Sequence, residues 1–270
     1  MKKTNCPNCQ SQKSKVVLDL SKEKDTYLDY LKIDYKKIKR FYLQCQECGL
    51  IYRNPILDEK EEELLYQLYR DERFRKENKY DYFQKITSLP PKESKNYQKC
   101  LFLENFLKNN GSILDVGCGA GVFLYTFKNY YPNWEVFGIE PTEGFADVAK
   151  EKGISIIYGY LGKDTFNREF DLVTLNHVLE HIEDFKGMLL MIKKYLKEDG
   201  LLYIEVPSAK EIGLTPQSHD QFMSPHLVIF SREILENILK KIGYSIIISG
   251  DFKSVENRNI IRVIAKTKNY

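Results

Sequence analysis

Four of the six cysteines in the 270 residues fall in two close pairs, Cys6 and Cys9 in CPNC and Cys45 and Cys48 in CQECG, with 35 residues between the pairs. Each CxxC turn presents two sulfurs to one ion, and two such turns supply the four soft thiolates of a tetrahedral zinc site, with Pro7 and Gly49 supporting tight turns. A redox motif needs only one pair beside a βαβ pattern. The spacing therefore predicts a Zn2+ ion held by Cys6, Cys9, Cys45 and Cys48. A four-thiolate set leaves no position open for water, so the predicted role is structural: metal binding gives folding free energy to a segment of about 50 residues, too small to bury a sufficient core. Cys100 and Cys118 are left over and need no partner in a reducing compartment.

A second stretch with chemical potential is ILDVGCGAG, residues 113–121. An apolar strand ends in Asp115, and Gly117, Gly119 and Gly121 let the backbone turn sharply against a ligand before a helix begins. Dinucleotide-binding folds use a related GxGxxG, but here the third glycine follows the second by two residues. The acid before the first glycine repels a pyrophosphate and suits a cationic or amino-acid-like ligand. The next strand, WEVFGIE, ends in Glu140, 25 residues beyond Asp115. It lies at the carboxyl edge where open α/β sheets bind ligands, and an acid there can accept both ribose hydroxyls of a nucleoside. Read without a ligand, Asp115 and Glu140 are ordinary strand-end caps.

The elements that position these residues are legible in the pattern. Hydrophobic residues at 43% and aromatic residues at 13% exclude a disordered or collagen-like chain. No run approaches the roughly 18 apolar residues needed to span a bilayer. A cysteine pair stands where a signal peptide would place its apolar segment, so a cytoplasmic, soluble protein is expected. Residues 1–57 carry 12 Lys or Arg against 6 Asp or Glu, while the rest carry 29 against 32. The basic character thus belongs to the N-terminal segment, either as a phosphate-binding surface or as a solvated face. DEKEEELLYQLYRDERFRKE, with Asp58 as N-cap and Leu64, Leu65 and Leu68 at helical spacing, predicts a connecting helix, and Pro90 and Pro91 mark a linker. From about residue 97, short apolar runs alternate with amphipathic stretches, which predicts strands and helices alternating in a doubly wound, mostly parallel α/β sheet. A helix capped by Ser231 and ended by Gly243 precedes two terminal strands joined closely enough to be antiparallel. The expected organisation is a zinc-ribbon-like module at 1–57, a helical connector at 58–96 and a ligand-binding domain at 97–270.

Taken in order, ILDVGCGAG, Glu140, FDLVTLNHVLEH and GLLYIEVPS resemble the class I S-adenosylmethionine-dependent methyltransferases, over roughly residues 97–270. The resemblance implies a seven-stranded Rossmann-like sheet. It implies that Gly117, Gly119 and Gly121 pass under the methionine part of S-adenosylmethionine, that Asp115 supports its amino group through the loop and that Glu140 holds the ribose. Leu161 would lie near adenine, with Tyr160 where many members carry an acid, and Asn176 and His177 would sit beside the sulfonium and acceptor.

Methyl transfer is an in-line displacement, and a hydroxyl acceptor needs a base tuned near neutral pH. All four histidines, His177, His181, His219 and His226, lie between residues 177 and 226. SAKEIGLTPQSHDQFMSPHLVIFS is the expected substrate loop, with His177, His219 and His226 as candidate bases and Asp220 as an orienting acid. Equally bland roles are a helix cap for His177, a surface position for His181 and a loop anchor for His226. HVLEH also matches an inverted zinc-peptidase motif, but it follows a buried strand and has no clear third ligand, so that reading is rejected; nothing resembles a catechol-type metal site either, so no metal is expected at the chemistry. Lys210 and the basic N-terminal segment are candidates for binding phosphate or carboxylate.

PHLVIFS followed by an amphipathic helix resembles small-molecule methyltransferases often encoded with surface-polysaccharide enzymes, and the cysteine ribbon resembles sugar methyltransferases. The leading expectation is methyl transfer to an oxygen of a sugar, nucleotide-sugar or related polar metabolite. One alternative is an RNA methyltransferase gripping phosphates with the basic zinc module. The other is a non-catalytic scaffold with a vestigial cofactor pocket. The oligomeric state is left open.

Overall fold

A computed structural model describes residues 1–68 and 77–268. In the N-terminal part, KVVLDL and RFYLQC become strands β1 (Ser14–Asp19) and β2 (Phe41–Cys45), antiparallel with Ser14 opposite Cys45. Strand β3 (Ile51–Asn54) continues the sheet. Further along the chain, β4 (Gly111–Val116), β5 (Trp134–Glu140), β6 (Ser155–Tyr158), β7 (Phe170–Asn176) and β8 (Leu196–Pro207) are mutually parallel, and β9 (Val228–Ile229) joins the first sheet. The terminal strands β10 (Tyr244–Lys253) and β11 (Asn259–Thr267) pair antiparallel, as their short connection predicts.

The larger sheet has seven strands in the order β10-β11-β8-β7-β4-β5-β6, with β11 antiparallel to both neighbours. This is the mostly parallel Rossmann-like sheet expected from the sequence. The apolar residues of β4 and β7 run on consecutive positions because both faces are covered: Ile113, Leu114, Leu172, Val173 and Leu175 are fully buried. Strand order reverses at β4, which has β5 on one side and β7 on the other. The crevice outside the carboxyl ends of β4 and β7 is where such a sheet can hold a ligand.

Helices α1 (Thr26–Tyr30), α2 (Glu59–Leu68), α3 (Lys79–Thr87), α4 (Lys95–Leu103), α5 (Val122–Tyr130), α6 (Glu143–Glu151), α7 (Phe185–Ile192) and α8 (Arg232–Lys241) complete the described elements. The connecting helix predicted over 58–77 is present as α2, with Asp58 accepting from the Glu61 amide at 3.1 Å; positions 69–76 lie outside the described residues. Phe83 of α3 packs with Ala120, Phe145 and Val148, so the connector rests on the large sheet's own helices. Ser231 caps α8 through the Ile234 amide at 3.3 Å, and Gly243 follows at φ +84°. Among the described residues no helix is long and apolar enough to cross a membrane.

The two sheets are tied together by a loop. The small sheet runs β1-β2-β3-β9, so its fourth strand comes from residue 228 onward, far from the first three. Asp25, fully buried, accepts from Arg40 at 3.2 Å, from Arg53 at 2.9 Å and from the Ser224 hydroxyl and amide at 2.7 and 3.0 Å. Arg53 also donates to the Phe222 carbonyl at 2.8 Å, and the Tyr42 hydroxyl to the His226 carbonyl at 2.7 Å. One carboxylate thus holds two arginines of the N-terminal sheet and the 222–226 segment at once. Removing one partner of a buried ion pair leaves uncompensated charge. Asp25→Ala should cost about 3–5 kcal/mol in urea unfolding; a loss within error of zero contradicts this role.

Candidate active site

The glycine turn after β4 takes the left-handed conformation at all three glycines, with φ +70° at Gly117, +55° at Gly119 and +75° at Gly121. A Cβ on Gly117 would lie 2.8 Å from Val178, and one on Gly121 2.6 Å from Ile154, so those two are held by packing. On Gly119 it would meet nothing within 4 Å. The middle glycine therefore faces open space, and a side chain there would fill the place where a ligand approaches backbone. Its amide donates to Glu140 Oε2 at 2.8 Å, while Oε1 accepts from the Thr142 amide at 3.0 Å. Glu140 at the end of β5 is thus aimed at the turn by its own strand.

Asp115 is buried and accepts from the Thr174 hydroxyl at 2.6 Å and from the Asn176 side-chain amide at 2.9 Å. Burial pushes its carboxyl up to about 6, against the lowering effect of those two hydrogen bonds. The Asn176 Oδ1 is buried with no hydrogen-bond partner, an acceptor left over at the end of β7. A ligand bringing an N–H donor would satisfy it.

Two cavities meet at this edge. One of about 260 Å³ is lined by Glu140, Thr142, Tyr160, Leu161 and Val178, and the other, of about 790 Å³, by Asp115, Gly119, Asn176, His219 and His226 among others. Gly117, His177 and His181 line both. Tyr160 stands at the rim, 69% exposed, and Leu161 is buried. A ligand with a flat apolar end and a charged amino-acid end matches this pair of spaces, which is the shape of S-adenosylmethionine.

The histidines occupy distinct electrostatic settings. His177 has φ +53°, and its ring reaches Glu180 at 3.3 Å through Nδ1 and Glu205 at 3.2 Å through Nε2. Burial disfavours its charged form, but the two carboxylates outweigh this and raise it to about 9, so at neutral pH His177 is a cation. Burial and the neighbouring His181 push His226 down to about 3, keeping it neutral. His219 Nδ1 lies 2.6 Å from Asp220 Oδ1, and its Nε2 lies 2.6 Å from Arg258 Nη2. Nε2 faces the Arg258 guanidinium, which can only donate, while Nδ1 faces both the Gln221 amide at 3.1 Å and the Asp220 carboxylate. The expected histidine and its orienting acid are therefore adjacent. Lys210 does not line either cavity; it pairs with Asp251 at 2.9 Å.

Glu205, Lys99 and Arg262 are among the charged residues of the cavity that the sequence reading did not single out. Glu205, 2% exposed, accepts from Arg262 at 2.7 Å and from Tyr203 at 3.0 Å and lies 3.4 Å from the buried Lys99. Burial opposes its ionisation, but Lys99, His177 and Arg262 hold the carboxyl well below the usual range. The available signal was a lone charge inside an apolar strand: Glu in LLYIEV and Arg in NIIRVIA, which the antiparallel register places side by side.

In the N-terminal part, Cys6 and Cys48 sulfurs lie 3.5 Å apart, as do those of Cys9 and Cys45, and all four fall within 4.8 Å of one another. Thiolates sharing one tetrahedral zinc are separated by about 3.8 Å, so the donor set fits the ion. Burial disfavours the Cys45 thiolate, but amides of Cys48 and Glu47 and the neighbouring cysteines bring it down to about 7.

The sequence profile of a methyltransferase domain matches residues 74–248. The chain belongs to this methyltransferase family. It is an S-adenosylmethionine-dependent class I methyltransferase. Carboxy-S-adenosyl-L-methionine synthase of Campylobacter hominis is 26% identical over 182 residues, 59% of this chain and 71% of that protein. An uncharacterized methyltransferase of Schizosaccharomyces pombe is 31% identical over 113 residues, covering 37% of this chain and 41% of that protein. Among solved structures, magnesium protoporphyrin IX methyltransferase of Synechocystis with bound S-adenosylmethionine superposes with a TM-score of 0.56 at 16% identity, over 80% of this chain and all of that one. The methyltransferase also resembles in sequence the (S)-coclaurine N-methyltransferase of Papaver somniferum, 24% identical over 106 residues, 37% of this chain and 30% of that protein.

Asp115 of the methyltransferase offers a test of this electrostatic picture. An unfolded chain ionises it near 3.8 and the folded one near 6, so the folded state holds the proton longer. Its contribution favours folding below about pH 4 and is lost as the pH rises through 6. Asp115→Asn should therefore be more stable than the parent at pH 7, by up to about 3 kcal/mol, and equal to it at pH 4 by urea unfolding. A variant that is less stable at pH 7, or a difference independent of pH, contradicts it.

Proposed function

We propose that the methyltransferase methylates an oxygen of a polar small molecule, a sugar, nucleotide-sugar or related metabolite, and that its four N-terminal cysteines bind a structural Zn2+. The observation that carries the acceptor class is a group of residues lining the larger cavity together with the glycine turn: His219, its partner Asp220, and the cations Lys253 and Arg258. Cations there match a phosphate or carboxylate on the acceptor, and a histidine oriented by an acid suits removal of a hydroxyl proton.

S-adenosylmethionine, when bound, supplies a methyl group activated on a sulfonium. In this reading the glycine turn and Asn176 hold its amino-acid end, Asp115 supports the ammonium group through Asn176, Glu140 accepts the ribose hydroxyls, and Leu161 and Tyr160 flank the adenine. Arg258 shifts from His219 Nε2 to an anionic group of the acceptor, and Nε2 takes the hydroxyl proton while Asp220 stabilises the resulting imidazolium. His177, a cation between two carboxylates, serves as a fixed donor at the mouth of both cavities. The lysines of the N-terminal sheet favour a small acceptor over RNA, because they are interleaved with acids: Lys13 lies 3.2 Å from Glu47, Lys37 3.3 Å from Asp34 and Lys24 3.6 Å from Asp29.

The test is transfer of labelled methyl to a panel of nucleotide-sugars, free sugars, amines and RNA. Label should appear as a methyl ether on a phosphorylated or carboxylated hydroxy compound, and His219→Gln should lower kcat by about 100-fold or more. Label confined to amines or RNA overturns the proposal.

A further inference from the structure

Glu180, His181 and His226 form a cluster outside the roles above. One donor atom from each lies within 4.8 Å of the other two. Glu180 is 1% exposed, and both of its carboxylate oxygens are buried with no hydrogen-bond partner; the His177 ring lies 3.3 Å away as an ion pair. A buried carboxylate without hydrogen bonds is costly unless a cation compensates it. His181 Nδ1 lies 2.8 Å from the Pro225 carbonyl. A carbonyl only accepts, so Nδ1 carries the proton and the lone pair sits on Nε2, the tautomer that metal-binding histidines adopt when a carbonyl orients them. The His226 ring stands edge-on to His181 at 4.5 Å, and its backbone is fixed through Tyr42. All three residues line the larger cavity.

We propose that Glu180, His181 and His226 bind a divalent transition-metal ion on the wall of the acceptor cavity, with open positions for two adjacent oxygens of the acceptor. Two imidazoles and one carboxylate are a donor set for Zn2+, Co2+, Mn2+ or Fe2+, and three protein ligands leave positions for exchangeable oxygen ligands. This proposal departs from the expectation, read from the sequence, of no metal at the chemistry. The third ligand that HVLEH lacks in sequence comes from His226, which the loop brings to it. The ion's role rests on the oxygen-methylation reading; the site itself does not. A hydroxyl bound to the ion is acidified and gives its proton to His219. Its oxygen then bonds to the methyl carbon as the carbon–sulfur bond breaks with its electron pair going to sulfur, leaving a methyl ether and a neutral thioether.

The test titrates the zinc-replete full chain with Co2+ by calorimetry and records paramagnetically shifted imidazole N–H resonances. One further Co2+ should bind per chain, with shifted signals from two histidines. Glu180→Gln and His226→Gln should each weaken this binding by about 100-fold or more, with zinc content and thermal unfolding as checks on folding. Absence of a Co2+ site in the zinc-replete chain, or a site that both folded variants retain, overturns the proposal. Co2+ binding that the variants lose, in a protein that methylates only amines, supports the site and overturns oxygen methylation instead.

Discussion

The architecture depends on a buried carboxylate shared between two parts of the chain. Asp25 caps α1 through the Tyr27 and Leu28 amides, each at 3.2 Å, and binds Arg40, Arg53 and Ser224 with the same side chain. The two guanidiniums, each 1% exposed, also donate to the carbonyls of Leu20, Glu23 and Phe222, while the Nε–H of each is buried without a partner. The consequence is positional. The segment carrying His219, Asp220 and His226 is fastened to the cysteine-bearing sheet, with β9 as that sheet's last strand. The N-terminal sheet thereby fixes a loop that lines the larger cavity.

The opposite wall is built by the large sheet. Its reversal at β4 opens the crevice, the glycine turn exposes backbone there, and strand ends deliver Asp115, Glu140 and Asn176. Between the walls lies an alternation of charge: Lys99 and Arg262 against Glu205, Glu205 against His177, His177 against Glu180. Such a network fixes ring orientations at the cost of desolvation. It explains why histidines close in sequence and space take different protonation states. His177 is flanked by two carboxylates, whereas burial first and the His181 imidazole second push His226 down, with Glu180 opposing them.

Much of this was legible because local signals and global fold agree. ILDVGCGAG needs glycine for conformational reasons at three positions, Glu140 ends the next strand, and alternation of strand and helix leaves few topologies. The cysteine pairs declare their spacing outright. What sequence did not disclose depends on long-range pairing. β9 is only two residues long and pairs with β3 across more than 170 positions, so no periodicity marks it. The convergence of His226 on HVLEH has the same origin. Arg40, Arg53 and Asp25 look like ordinary surface charges in KIDYKKIKR, YRN and KEKD; their burial follows only from the loop packed over them. The stretch HVLEHIEDFKGMLLMIKKYLKEDG reads as one amphipathic run but divides into a 3-10 turn at Leu179–His181, helix α7 and the start of β8, because the sheet needs Leu196 opposite Phe170.

The central claim is that the cysteine-bearing sheet holds the histidine loop above the cofactor cavity. Hydrogen exchange on the full chain, compared before and after zinc is removed by a chelator, tests it most directly. The account predicts that amides of 219–230 lose protection together with both cysteine turns, while β4 and β5 stay protected and S-adenosylmethionine still binds. Unchanged protection of 219–230 after the metal is gone would contradict it.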